Sequence, residues 1–233
     1  MIRVQRANSV YEAHHDWLHS RFYYSFADYY DPNNITFGPM RVLNDDVIKP
    51  ARGFGMHPHR EMEIVSIVLS GHLAHEDSQG NQASTTFGQV QRMSAGTGIR
   101  HSEVNPSQSE DVNLLQMWFV PDQPRLEPSY EKTDFSISAM KNQLLPVVSR
   151  NAGPQVAFIN QDLTISLADL DNGLTLDVQQ EEGRRLFLFV IDGDIQLSSG
   201  ESLARRDAAR IEGVTQLRIT AQSDSRLMVI DLP

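Results

Sequence analysis

The sequence predicts an all-β chain folded as two small β-barrels in tandem, and three observations carry that expectation. Turn-forming clusters recur at short intervals: Asp45-Asp46, Ser78-Gln79-Gly80-Asn81, Asp171-Asn172-Gly173, Asp192-Gly193-Asp194 and Ser198-Ser199-Gly200. Between them lie short runs of Val, Ile, Leu and Phe, which suit a sandwich or barrel rather than alternating strands and helices. Two similar strand-turn units also stand far apart in the chain, which suggests a duplicated domain.

Length and composition bound what those barrels do. A chain of 233 residues exceeds the usual single domain, and 40% hydrophobic with 21% charged residues gives it material for a substantial core, so disorder throughout is excluded. The formal net charge of −10 removes bulk electrostatic support for direct binding to nucleic acid or to anionic membranes. The start, Met1-Ile2-Arg3-Val4-Gln5-Arg6, lacks the apolar core of a signal peptide, and no run of about 18 apolar residues occurs. A soluble, cytoplasmic and monomeric protein is the expectation. With no cysteine there is no disulfide, thiolate ligand or cysteine nucleophile, so any metal must bind through His and carboxylate.

Taken in chain order, Asp16–Phe26 is crowded with aromatic residues and reads as a strand or an irregular segment packed on a barrel. Glu63–Gly71 and Leu186–Ile191 are apolar on both alternating faces, as strands buried between two layers are. Each run leads to a glycine, Gly71 or Gly193. Three prolines within Pro121–Pro128 predict an extended, poorly helical connection. The expected division is therefore a metal-binding domain over 1–121, a linker over 122–129 and a second domain over 130–233.

His57-Pro58-His59 places two imidazoles at i and i+2, which an extended chain presents on one face. Alone, that pair also fits a polar turn. His101-Ser102-Glu103 repeats the spacing with an imidazole and a carboxylate, behind a Gly-rich turn at Ser94–Gly98 that permits close backbone approach. If the two segments lie side by side, four donors converge on a barrel interior. Glu63 is a rival carboxylate: a straight strand would put it about 13 Å from His59, against about 7 Å between Glu103 and His101, but a bend near Arg60-Glu61 would bring it back, so geometry favours Glu103 without excluding Glu63. The remaining histidines read as structural: His14, His15 and His19 as surface residues, His72 and His75 as flanks of a hairpin. Glu76-Asp77 reads as a solvated strand end. No histidine follows His101, so a second site of the same type is excluded by inventory.

These residues carry a family resemblance. Gly53–Gly71, with its Gly-x-His-x-His core at Gly55–His59, resembles the first cupin motif, and Gly88–Asn105 resembles the second. Phe26–Pro32, Arg41–Asp46 and Gly96–Glu103 are more narrowly similar to the pirin family, although Ser94 stands where cupins generally carry proline. The resemblance is dense in the first half and limited to layout in the second. It implies a bicupin of two jelly-roll barrels, the C-terminal one degenerate and without ligands. It also implies one divalent transition metal, Fe(II) first, with Ni, Co, Mn, Cu or Zn as alternatives, held by His57, His59, His101 and Glu103.

The activity implied is a quercetin 2,3-dioxygenase, which opens a flavonol with O2 and releases carbon monoxide, with Glu103 as general base. The family also contains metal-holding proteins that modulate a transcription regulator or a metabolic enzyme, so a protein partner is the alternative expectation. Ligand spacing alone does not choose between oxygenation, isomerisation and hydrolysis.

Overall fold

The computed structural model describes all 233 residues, Met1–Pro233. Strands alternate with turns throughout, and the helical content is confined to two 3₁₀ turns, Ala7–Ser9 and Ile137–Met140. No helix is long and apolar enough to cross a membrane. The chain forms two compact units, one built from Tyr11–Phe135 with Arg150–Gln161, the other from Met1–Val10, Ser136–Ser149 and Asp162–Pro233.

The first unit is a barrel of two antiparallel sheets. Its larger sheet runs in the order Ser129–Asp134, Gln89–Ser94, Glu63–Ser70, Val112–Phe119, Met40–Ile48, Leu18–Phe22, Tyr11–His14. Its smaller sheet runs Gly53–His59, Ile99–Val104, Leu73–Asp77, Gln82–Thr85. Glu63–Ser70 sits mid-sheet, and its first six residues are buried, as its two-faced apolar pattern requires. The open segment at Asp16–Phe26 resolves into the strand Leu18–Phe22, paired with Met40–Ile48.

The second unit repeats this order. Its larger sheet aligns Ile2–Gln5, Ala208–Glu212, Arg185–Asp192, Ser225–Leu232, Thr164–Leu170 and Leu145–Ser149, and its smaller sheet Thr175–Gln179, Gln216–Ala221, Ile195–Leu197 and Ser202–Leu203. The repeat extends to the turns that the sequence marked. At Gly71 (φ +77°) a Cβ would stand 2.7 Å from the Asp111 carbonyl oxygen, and at Gly193 (φ +82°) one would stand 2.5 Å from that of Asp224. Both sites combine left-handed backbone with close approach of a neighbouring loop, which glycine alone satisfies without strain.

The units do not follow a division at 122–129. Ser129–Asp134 pairs with Gln89–Ser94 from Ser129↔Ser94 to Asp134↔Gln89, so it closes the first barrel. Ile2–Gln5 pairs with Ala208–Glu212 and edges the second. The proline-rich stretch is tied down as well: Thr97 N–H donates to the Leu126 carbonyl at 2.9 Å, and Arg125 N–H donates to Glu61. Composition marks where a chain is extended; only the hydrogen-bonded register shows which sheet an extended segment joins.

Candidate metal centre

Gly53–His59 and Ile99–Val104 are neighbours in the smaller sheet of the first barrel, with His101 opposite His57 and Ile99 opposite His59. The i,i+2 spacing then turns His57, His59 and His101 to one face. Their ligating nitrogens lie within 4.8 Å of one another. The ring centroids are 4.5 Å apart for His57 and His101, 4.9 Å for His59 and His101, and 4.8 Å for His57 and His59. The register shifts between His101 and Glu103, leaving one extra residue on the Gly53–His59 side. Such a bulge re-aims side chains next to a site.

Glu103 is buried, and its carboxylate forms a second cluster with His75 and His101, again within 4.8 Å. It accepts hydrogen bonds from Gln91 Nε2 at 2.8 Å, from Ser66 Oγ at 3.3 Å and from Gln116 Nε2. Neighbours fix both amide orientations. Trp118 Nε1 donates to Gln116 Oε1, and the hydroxyls of Thr85 and Tyr130 donate to Gln91 Oε1. Each glutamine therefore has only its NH₂ left to offer the carboxylate.

Burial lowers His59 to about 4, with help from His101 and His57 and against the pull of Glu103. Burial, then His57 and His75, lowers His101 to about 3, with Asp77 opposing. Both rings are consequently neutral donors at neutral pH. His57 Nδ1 lies 2.8 Å from the Gly55 carbonyl, which as an acceptor holds the proton there and leaves Nε2 for an ion. Three imidazoles and one carboxylate, without thiolate, fit a single divalent transition-metal ion.

The cluster opens into a cavity of about 150 Å³. Phe22, Phe26, Phe54 and Trp118 form its aromatic walls, and Ser20, Asn44 and Asp46 its polar floor. Burial raises Asp46 to about 7; the Ser20 hydroxyl bonded to it opposes the rise, while the charges of Asp45 and Glu103 add to it.

Glu63 is fully buried and does not line the cavity: its carboxylate accepts from Ser94 Oγ and from the Asn160 backbone N–H. The serine at the usual proline position thus has a partner inside the barrel. Asp77 is not a solvated strand end but is buried, with His75, which donates to it from Nε2 at 3.1 Å. Burial works against ionising Asp77, yet hydrogen bonds from Asn81, His75 and the Asn81 and Gln79 amides outweigh it and lower its pKa. His75 stacks on Tyr130 at 4.3 Å and faces His101, Nδ1 to Nδ1, at 3.4 Å. The i,i+2 spacing of His75 and Asp77, identical to that of the candidate ligands, was the available signal. On the surface, Glu12 joins His14 and His19, whose stacked rings both reach its carboxylate at 3.2 Å, while Arg21 binds its other oxygen.

Comparison with known proteins gives a consistent picture. A family model described as Pirin matches residues 3–119, and one described as the quercetinase C-terminal cupin domain matches residues 146–232. The chain is 39% identical over 233 residues to a protein of Escherichia coli K12 named quercetin 2,3-dioxygenase, covering all of this chain and 99% of that one. A crystal structure of a bacterial pirin from Escherichia coli in complex with nickel(II) superposes with a TM-score of 0.94 at 38% identity, over 100% and 99% of the two chains. A quercetin 2,3-dioxygenase from Acinetobacter baumannii, 16% identical, shares the fold at a TM-score of 0.78 over 99% of this chain and 78% of that one.

Proposed function

Because the chain belongs to the pirin family, we propose that it is a metal-dependent dioxygenase that opens quercetin or a related flavonol with O2 and releases carbon monoxide. The observation that carries this reading is the placement of the donor cluster at the end of an aromatic-walled cavity. His57, His59, His101 and Glu103 would hold the ion, with Fe(II) or Ni(II) as the occupant to test first. When bound, the ion supplies the Lewis-acid and redox chemistry that a reaction between a closed-shell phenol and O2 requires.

The chain's own residues account for the remaining steps. At about 150 Å³ the cavity is smaller than sites that enclose a whole drug-sized ligand, so it takes one ring between Phe26, Phe54 and Trp118 while the rest projects outward. A flavonol 3-hydroxyl must lose a proton before oxygen attacks, and Glu103, which lines the cavity, would take it. Gln91 and Gln116 hold that carboxylate in position through their NH₂ groups.

The test uses tag-free protein loaded separately with Fe(II) and Ni(II) and mixed with quercetin in air. Loss of the flavonol absorbance should be matched by O2 uptake and by one carbon monoxide per turnover. Colour loss without that gas, or a rate unchanged by His101→Ala, would overturn the assignment.

A further inference from the structure

Resting on the metal reading above, we infer that His75 and Asp77 are positioning residues that set the tautomer of His101 and so decide whether its Nε2 is free to bind an ion. Asp77 Oδ1 accepts from the backbone N–H groups of Gln79 at 2.9 Å and Asn81 at 3.1 Å, its Oδ2 faces His75 Nε2 at 3.1 Å, and Asn81 Nδ2 donates to both oxygens, at 3.2 and 3.0 Å. A carboxylate only accepts, so His75 carries its proton on Nε2 and presents a lone pair at Nδ1. That lone pair faces His101 Nδ1 at 3.4 Å. Two ring nitrogens so placed share one proton, which therefore sits on His101. His101 Nε2 is left unprotonated toward His57 and His59.

The surroundings leave the chain of contacts no freedom to invert. His75 and Asp77 have no side-chain exposure, and Tyr130 stacks on the His75 ring with planes 17° apart. Register places Glu103 opposite His75 and His101 opposite Asp77, so the four side chains occupy adjacent positions on two paired strands. A carboxylate acting through a second imidazole lengthens by one ring the usual arrangement in which an acceptor orients a ligating histidine.

Asp77→Asn tests the direction of the effect. The two backbone donors and Asn81 Nδ2 keep the amide oxygen at the Oδ1 position, so the new NH₂ takes the Oδ2 position, where it gives up the second Asn81 contact and faces His75 Nε2. His75 then carries its proton on Nδ1 and donates it to His101, whose own proton moves to Nε2, into the space shared with His57 and His59. Nickel(II) affinity, measured by competition with a chromophoric chelator, should fall about 10- to 100-fold, whereas Asp77→Glu should recover part of it. Independently, long-range ¹H–¹⁵N spectra of metal-free, ¹⁵N-histidine-labelled protein should show His101 protonated on Nδ1 and His75 on Nε2 in the wild type, and the reverse in Asp77→Asn.

The spectra decide the inference even where a variant does not fold. Wild-type His75 protonated on Nδ1 or on both nitrogens overturns it, as does an Asp77→Asn protein that keeps wild-type nickel affinity. Wild-type protein that takes up no nickel at the triad overturns the metal reading instead, and the tautomers of the metal-free chain still settle the present point.

Discussion

Counted along the paired registers, His57, His59, His101 and Glu103 of the first barrel stand where Leu176, Val178, Ile219 and Ala221 stand in the second. The pairs His57↔His101 and His59↔Ile99 match Leu176↔Ile219 and Val178↔Leu217. Likewise His75↔Glu103 and Asp77↔His101 match Ile195↔Ala221 and Leu197↔Ile219. Across the larger sheets the row Gln91, Ser66, Gln116, Asn44 corresponds to Ala209, Leu188, Val229, Ser166. One backbone plan thus carries in one copy a polar interior, in which Gln91, Ser66 and Gln116 hydrogen-bond Glu103, and in the other, Ser166 apart, an aliphatic core. A buried polar network is tolerated only when its members are satisfied, and here each glutamine amide is oriented by a second donor before it meets Glu103. The barrel supplies the positions, and side chains at four matched positions make one interior a cluster of candidate ligands and the other an aliphatic lining.

The comparison breaks first at its most matched pair. His101→Ala should abolish most metal uptake, because it removes the donor common to both clusters. Ile219→Ala should leave ion content unchanged and instead cost about 2–5 kcal/mol of stability, since it opens a cavity in a fully buried core. Elemental mass spectrometry and chemical denaturation read the two outcomes. Full occupancy in His101→Ala would end the assignment.

A smaller effect separates the two buried glutamates of the first barrel. In Glu103→Gln the amide oxygen still faces the ion position but takes up no proton, so kcat/KM on quercetin should fall by about 10²-fold or more in metal-loaded protein. Glu63→Gln should leave turnover close to wild type, because Glu63 serves Ser94 and Asn160 instead of the cavity. The reverse result would place the base on the wrong strand.

What was legible in the sequence follows the range of the interactions. His57, His59, His101 and Glu103 stood out because i,i+2 spacing is local, and the Gly-rich turn before His101 is local too. Gly71 and Gly193 announced the repeat for the same reason. Gln91 and Gln116 left no such trace: each is one polar residue in an apolar strand, and its meaning comes from Tyr130, Thr85 or Trp118 beside it. His75 and Asp77 carried the right spacing, but their burial depends on Ile99–Val104 covering them, a pairing between segments some 25 residues apart. The strands at Ile2–Gln5 and Ser129–Asp134 were misallotted at the level of composition because edge pairing is chosen by register, not by residue type.

The finest distinction between the barrels is how their stability responds to pH, and Asp46, whose counterpart is Ala168, isolates it. In metal-free protein the buried Asp46 carboxyl titrates at about 7, above its ordinary value of 3.8. The folded state therefore holds that proton more tightly than the unfolded chain does. Stability must fall as pH rises through the window from about 4 to 7. His59 and His101, lowered to about 4 and 3 from 6.5, act in the opposite sense: the unfolded chain binds their protons more tightly, so they add stability as pH rises toward 6.5. Wild-type stability alone would mix the two slopes. Asp46→Asn removes only the falling one, and its effect on the Ser20 contact adds an offset that does not change with pH. Urea denaturation at a series of pH values should therefore show the variant gaining on wild type between about pH 4 and 7 by of order 4 kcal/mol, then running parallel to it above. A difference constant across that range would mean that Asp46 ionises at its ordinary pKa and that the polar floor of the cavity is better solvated than its burial indicates.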